Sequence, residues 1–251
     1  MAGAAVDPAG VLDVRFELEY QLVAGVRRRE VLPVCAGEWF EDSVPARRFR
    51  FEKGRSSFAG WWWAASTGRH VGFESWLERD HLMLMDFDPG ITAMSSQPFW
   101  LHWRGQDGRG RRHAPDFFAR RADGAGVVID VRPDDRIPEK DAEVFAITAA
   151  ACAAAGWEFR RLGEIDPVLA ANVRWLSRYR HPRCAAGKEV ARALLEVFAE
   201  GRGLFAGAEL AGDRLLVLPV LFHLMWRGRL AADLSAGPLG PATLVRPGGM
   251  W

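Results

Sequence analysis

Residues 111–132 read RRHAPDFFARRADGAGVVIDVR. An alternating run from about His113 to Arg121 carries Phe117 and Phe118, and Asp123-Gly124 follows it. The apolar run Val127-Val128-Ile129-Asp130-Val131 then returns. A glycine-containing turn between two such runs predicts a β-hairpin. Folded about that turn, Asp116 comes within a register step of Asp130 to Arg132. Side chains alternate across a strand, so Asp130 and Arg132 share one face and Val131 points to the other. Two carboxylates and a fixed cation then meet on otherwise apolar strands, a set suited to a hard divalent cation and a phosphate.

Upstream, Phe73 to Asp86 (FESWLERDHLMLMD) follows Thr67-Gly68 and contains neither glycine nor proline. It predicts a helix ended by Pro89-Gly90, apolar over a wide arc and so buried on more than one side. Glu74 and Glu78 fall one turn apart on it. A strand is expected from about Met94 to Arg104, with Pro98 near its start, and then a glycine-rich turn at Gly105 to Gly110. Downstream, Ile137 to Ala155 predicts an alanine-rich helix with Pro138 in its first turn and Gly156 as its stop. Trp157 to Leu162 reads as a short strand, and Asp166-Pro167 caps a helix to about Tyr179. Helix, three strands, helix, strand is the order of an α/β (α+β) core with one sheet flanked by helices.

Residues 1–70 read as a β-rich N-terminal extension. VLDVRFELEY (Val11 to Tyr20) alternates as a half-buried strand. Further short strands are expected near Arg29 to Cys35 and Ala46 to Phe51, and Trp61-Trp62-Trp63 reads as core and packing edge. The central part spans 71–182. Beyond His181-Pro182, residues 183–251 predict three helices (Lys188 to Glu200, Leu204 to Leu210, Arg214 to Trp226). A hairpin of Gly228 to Leu234 with Ala242 to Arg246 completes a small winged-helix domain. From residue 184 onward seven basic residues face six acids, a weak footprint for DNA, and docking to a protein accounts for it equally.

A chain of 251 residues, 49% hydrophobic and 26% charged, has globular composition and room for a sizeable core. No apolar run reaches the length of a bilayer span. Asp7 and Asp13, with no basic segment leading into an apolar one, argue against a secretory signal. Cys35, Cys152 and Cys184 match no zinc spacing and suggest reduced thiols in the cytoplasm. Only Lys53, Lys140 and Lys188 are lysines among 33 basic residues, so an arginine here can stand where another protein uses lysine. Clusters such as Arg27-Arg28-Arg29 and Arg109 to Arg112 could hold phosphates, but for any single cluster a solvated face balanced by neighbouring acids is the leading reading, because mixed surface charge is the norm.

Mg²⁺ takes oxygen ligands and keeps several waters, so two or three carboxylates and a phosphate oxygen suffice for a site. Asp116, Asp130 and Glu78 supply that number, with Arg132 beside them to stabilise phosphate charge. Arginine stays protonated and cannot serve as the general base. A Pro-Asp pair followed by acid, any residue, base is a short pattern, and a structural salt-bridge cluster fits it as well.

The segments FESWLERDHLMLMDFDPGITAMSSQP, HAPDFFARRADG, VVIDVRP and AANVRWLSRYR, in this order, resemble the TnsA-type endonuclease subunit of heteromeric transposases over roughly residues 70 to 180. The resemblance implies a restriction-endonuclease-like PD-(D/E)XK core and Mg²⁺-dependent cleavage of double-stranded DNA at transposon 5′ ends, with Mn²⁺ substituting. It implies as partners a DDE-type transposase, which cuts the 3′ ends, and an AAA+ ATPase regulator. Glu78, within Ser75-Trp76-Leu77-Glu78, matches the family's catalytic glutamate, and Asp116 and Asp130 match its other ligands. Arg132 stands at the family's lysine. Gln97-Pro98 matches a glutamine that is structural or DNA-facing, and Arg111, Arg112 and His113 are further candidates for DNA contact. Two alternatives stay open: a catalytically silent adaptor of the same fold that holds DNA and recruits the ATPase, and a stand-alone restriction or repair nuclease.

Overall fold

The computed structural model describes residues 15–49, 58–135, 137–185 and 187–249. They group into two units. The first comprises the described residues of 1–60 with 71–77 and 92–163. The second comprises 61–70, 78–91 and the described residues of 164–251.

The first unit begins with β1 (Glu17–Tyr20) and β2 (Arg28–Val31), a short helix α1 (Leu32–Cys35) and a 3₁₀ turn at Phe40–Asp42. Val11 to Val14 of the expected first strand, and Arg50 and Phe51, lie outside the described residues. Ala46 to Phe49 forms no strand. β3 (Gly60–Ala64) and β4 (Arg69–Phe73) make a two-stranded sheet, and α2 (Trp76–Phe87) follows. Phe73 therefore closes a strand instead of opening the helix. Gly72 just before it donates its N–H to Ser96 Oγ at 3.2 Å.

The expected strand from Met94 to Arg104 is two strands, β5 (Ile91–Ser96) and β6 (Trp100–Arg104), in different sheets. The break falls at Gln97, which has φ +48°, and at Pro98, which has no N–H to give a ladder. The expected first arm of the hairpin divides in the same way. β7 (Gly110–His113) pairs with β6, Ala114-Pro115-Asp116 crosses over, and β8 (Phe117–Arg121) pairs with β9 (Gly126–Val131). The turn between β8 and β9 places Gly124 at φ +87°, open to glycine without strain.

The single flanked sheet predicted from sequence is thus two four-stranded sheets, β2-β1-β6-β7 and β10-β9-β8-β5. Strand β10 (Glu158–Leu162) runs parallel to β9, joined to it through α3 (Glu139–Ala155), which Gly156 ends at φ +71°. Every residue of β9 is buried, as its near-continuous apolar run requires of a covered central strand. Leu18, Leu101 and Trp103 of the first sheet, Phe118 and Val128 of the second, and Ala151 and Cys152 of α3 share one core. Phe40 sits at its centre, edge-on to Tyr20, Phe99 and Trp157 at 5.1–5.4 Å. Each such fully buried phenylalanine contributes about 2–3 kcal/mol of transfer free energy. Arg120 of β8 holds buried Glu41 with two bonds of 3.0 and 2.9 Å, tying the 3₁₀ turn to the sheet.

In the second unit Asp166 caps α4 (Pro167–Leu176), accepting from Leu169 N–H at 2.8 Å, and a 3₁₀ turn carries the chain to Tyr179. α5 (Lys188–Val197), α6 (Leu204–Ala211) and α7 (Arg214–Trp226) pack around Leu194, Phe198, Leu221 and Met225. Strands β11 (Arg202–Gly203), β12 (Leu230–Ala231) and β13 (Leu244–Pro247) form a sheet in the order β11-β13-β12. Buried Asn172 pins the loop before β13: its amide donates to Leu234 and Gly237 carbonyls at 2.8 Å and accepts from Leu239 N–H at 2.9 Å. Asp86 of α2, only 5% exposed, accepts from Trp62 Nε1 and from the main-chain N–H groups of Ala65 and Ser66 at 2.8–3.0 Å. Among the described residues no helix is long and apolar enough to cross a membrane.

Candidate active site

The β8–β9 ladder pairs Phe117 with Ile129, so Asp116 stands opposite Asp130 one step further on. The two residues are linked directly. Asp116 Oδ2 accepts from Val131 N–H at 2.8 Å, and Asp116 N–H reaches Asp130 Oδ1 at 3.3 Å. Asp130 is 2% exposed, while Asp116 is half-buried. A carboxylate that deep needs a partner, because desolvation penalises its charge. The partner is His113, at the end of β7, whose Nε2 lies 3.0 and 2.9 Å from the two oxygens of Asp130. An ionised carboxylate only accepts, so the tautomer that suits this contact is the one with its proton on Nε2. Asp130 shares its sheet face with Val128, next to Cys152 of α3. Burial, with the Asp130 charge adding to it, pushes the Cys152 thiol up to about 12.

Arg132 follows β9, its main-chain N–H bonded to Leu162 C=O at 2.9 Å. Its guanidinium is about half exposed and pairs with Asp141 in the first turn of α3 at 3.3 Å. Gln97 lies on the other side of Asp116. Its N–H donates to Asp116 C=O at 2.9 Å, and its own C=O accepts from Ala46 N–H at 2.8 Å. Gln97 is 2% exposed, and its Oε1 has no hydrogen-bond partner among the described residues. A non-glycine residue at positive φ with an orphaned buried acceptor is the kind of strain that collects at functional sites.

The structure therefore brings Asp116, Asp130 and His113 together, with the Gln97 backbone attached. Glu78 lies in the first turn of α2, in the second unit. Glu74 is not on that helix: it precedes it and pairs with Arg47, Nη1 to Oε1 at 2.9 Å. Arg111 pairs with Glu143 at 2.5 Å, and Arg112 lies over the Trp100 ring at 4.2 Å. The contact between His113 and Asp130 escaped sequence reasoning because the two residues sit on strands of different sheets. The only signal was their nearness in sequence to the Asp116 crossover.

Among the described residues no three His, Cys, Asp or Glu side chains are grouped to hold a metal. The donor chemistry of the Asp116–Asp130 pair nonetheless fits Mg²⁺, which is commonly bound through one or two carboxylates, with waters and substrate phosphates as its other ligands.

Mixed α/β sheets carrying two adjoining carboxylates are consistent with the class of nucleases. Residues 88–164 match the family model described as TnsA-like endonuclease N terminal. The matched stretch runs from the end of α2 to just past β10, and it contains Asp116, Asp130 and Arg132 but not Glu78. It supports a nuclease of TnsA type over this part of the chain. No curated protein matches the chain.

Proposed function

We propose that this chain is the metal-dependent DNA endonuclease subunit of a heteromeric transposase, hydrolysing phosphodiester bonds at transposon 5′ ends. The observation that carries the reading is the pairing of Asp116 with Asp130 across β8 and β9, inside the stretch that matches the TnsA-like model. In this reading the core is of the PD-(D/E)XK type. Asp116 and Asp130 would hold Mg²⁺ or Mn²⁺, and Glu78 enters on the resemblance alone. When bound, the ion supplies an activated water and neutralises charge at the scissile phosphate.

The chain's own residues do the rest. His113 lies against both oxygens of Asp130 and supplies the hydrogen-bond partner that a buried carboxylate needs. Val131 N–H fixes the direction of the Asp116 carboxylate. Arg132 has a planar, permanently charged fork that matches the phosphate oxygens, and it takes no proton. Partners in this reading are transposon-end DNA, a DDE-type transposase and an AAA+ ATPase. The C-terminal helices and strands act as a winged-helix module for docking.

A second reading has its own observation. The Arg132 guanidinium is engaged by Asp141, which fits a silent adaptor that binds DNA without cutting it. One experiment separates the two. Purified chain with Mg²⁺ or Mn²⁺, its partners and transposon-end DNA nicks the 5′ ends, and Asp116→Asn does not. Mn²⁺ raises the melting temperature of the wild type but not of the variant, since a ligand bound only to the native state stabilises it. Binding of DNA with no nicking under any of these conditions would favour the adaptor.

A further inference from the structure

The solvent face of the sheet β2-β1-β6-β7 forms an arginine-lined groove of about 630 Å³. Alternation along these strands sends Leu18, Leu101 and Trp103 into the core. Glu17, Arg29, Trp100, His102, Arg104 and Arg112 go to the other side. Five arginines border the groove (Arg15, Arg29, Arg104, Arg111 and Arg112) against one glutamate, Glu17. Arg15 and Arg29 both lean on Glu17, at 3.7 and 2.8 Å, so that carboxylate offsets only one of them. Arg111 is neutralised from the side by Glu143 and Asp107.

Arg104 and Arg112 have no carboxylate partner among the described residues. Arg104 donates to Gly108 C=O at 3.2 Å, and Arg112 stacks over Trp100 at 4.2 Å. Both are exposed. A guanidinium stacked by its flat face keeps its edge donors free for phosphate oxygens. The charges span four strands, roughly 14 Å at about 4.8 Å per strand spacing. That is too wide for a single phosphate. It matches about four nucleotides of a DNA strand at about 3.4 Å of axial rise each.

We infer that this sheet face is a backbone-reading DNA surface, separate from the Asp116–Asp130 pair, that grips successive phosphates without reading sequence. It rests on the proposed function only for the nature of the polyanion. Surface charge repelled from itself is mildly unfavourable to the fold, and a phosphate backbone is the ligand that offsets it.

The test measures binding of the full chain to a duplex of arbitrary sequence, by fluorescence anisotropy in EDTA, across salt from about 50 to 200 mM. Each arginine lost from a phosphate contact flattens the plot of log K against log salt by about 1. Arg104→Ala/Arg112→Ala should therefore flatten it by about 2, with an unchanged melting temperature. Arg104→Lys/Arg112→Lys should restore the slope, since charge is kept. An unchanged slope in the alanine pair overturns the inference, and so does wild-type chain that binds no duplex. EDTA separates the two claims: a chain that nicks with metal but keeps its slope refutes this surface alone, and one that never nicks but loses slope refutes only the hydrolysis.

Discussion

Both carboxylate oxygens of Asp130 lie within 3.0 Å of a single nitrogen, Nε2 of His113. The two residues belong to different sheets, so this contact ties β7, the edge strand of one, to β9, an interior strand of the other, beside the Asp116 crossover. It also gives a carboxylate only 2% exposed the hydrogen-bond partner that its burial calls for.

His113→Ala leaves Asp130 buried with the long bond from Asp116 N–H. Removing one partner of a buried, hydrogen-bonded charge costs on the order of 2–4 kcal/mol. Urea unfolding should show a loss of that order, and His113→Gln, which keeps a donor, should recover part of it. A His113→Ala variant as stable as the wild type would remove the contact from the account.

Arg132→Lys keeps the positive charge and adds a group that can release its proton when desolvated. Nicking by this variant should equal or exceed that of the wild type, whereas Arg132→Ala should lose roughly 100-fold or more, as loss of an electrostatic stabiliser does. Asp141→Ala, which frees the guanidinium, should not lower the rate. Equal activity in Arg132→Ala and wild type would leave Arg132 as a salt-bridge residue only.

Gln97 holds a left-handed backbone that glycine adopts without penalty. Gln97→Gly should therefore stabilise the fold by about 1 kcal/mol or leave it unchanged, after the entropic cost of glycine is met. If the orphaned Oε1 serves the reaction, nicking should fall in the same variant. Stability up and activity down is the signature to look for. A variant that is less stable and fully active would argue that the strain is incidental.

Burial pushes the Cys35 thiol up to about 11 and the Cys152 thiol up to about 12, from an ordinary 9.0. The unfolded chain loses these protons first as pH rises, so the native state then binds more protons than the unfolded state. The stability contributed by keeping them neutral is complete below pH 9.0 and is lost as pH rises towards 11 and 12. Unfolding free energy should fall with that slope, by about 1 kcal/mol for Cys152 around pH 10, and the melting temperature should fall with it. Cys152→Ala should flatten the alkaline limb even though it costs packing at neutral pH.

Local chemistry was legible wherever one stretch of chain decided its own structure. Gly156 ending α3, Asp166 capping α4 and Asp123-Gly124 turning β8 into β9 are such places. The opposition of Asp116 and Asp130 followed from the alternation of a strand and the position of one turn. The ends of α2 and the fate of Met94 to Arg104 were not legible in that way. Apolar periodicity runs straight through Phe73 and through Gln97-Pro98, and only pairing partners elsewhere in the chain decide where a strand stops. Glu74 reads as the neighbour of Glu78 on one helical face for the same reason, whereas the helix starts only at Trp76 and Glu74 pairs with Arg47 ahead of it.

Residues 111–132 by themselves determined a turn, two strands and a pair of acids facing across them, because period-2 alternation and glycine's freedom at positive φ act over a few residues. Tertiary structure alone decided that His113 leaves that hairpin for a second sheet and turns back to satisfy Asp130. A buried charge must find its donor wherever the fold brings one, and no local pattern records which strand will carry it.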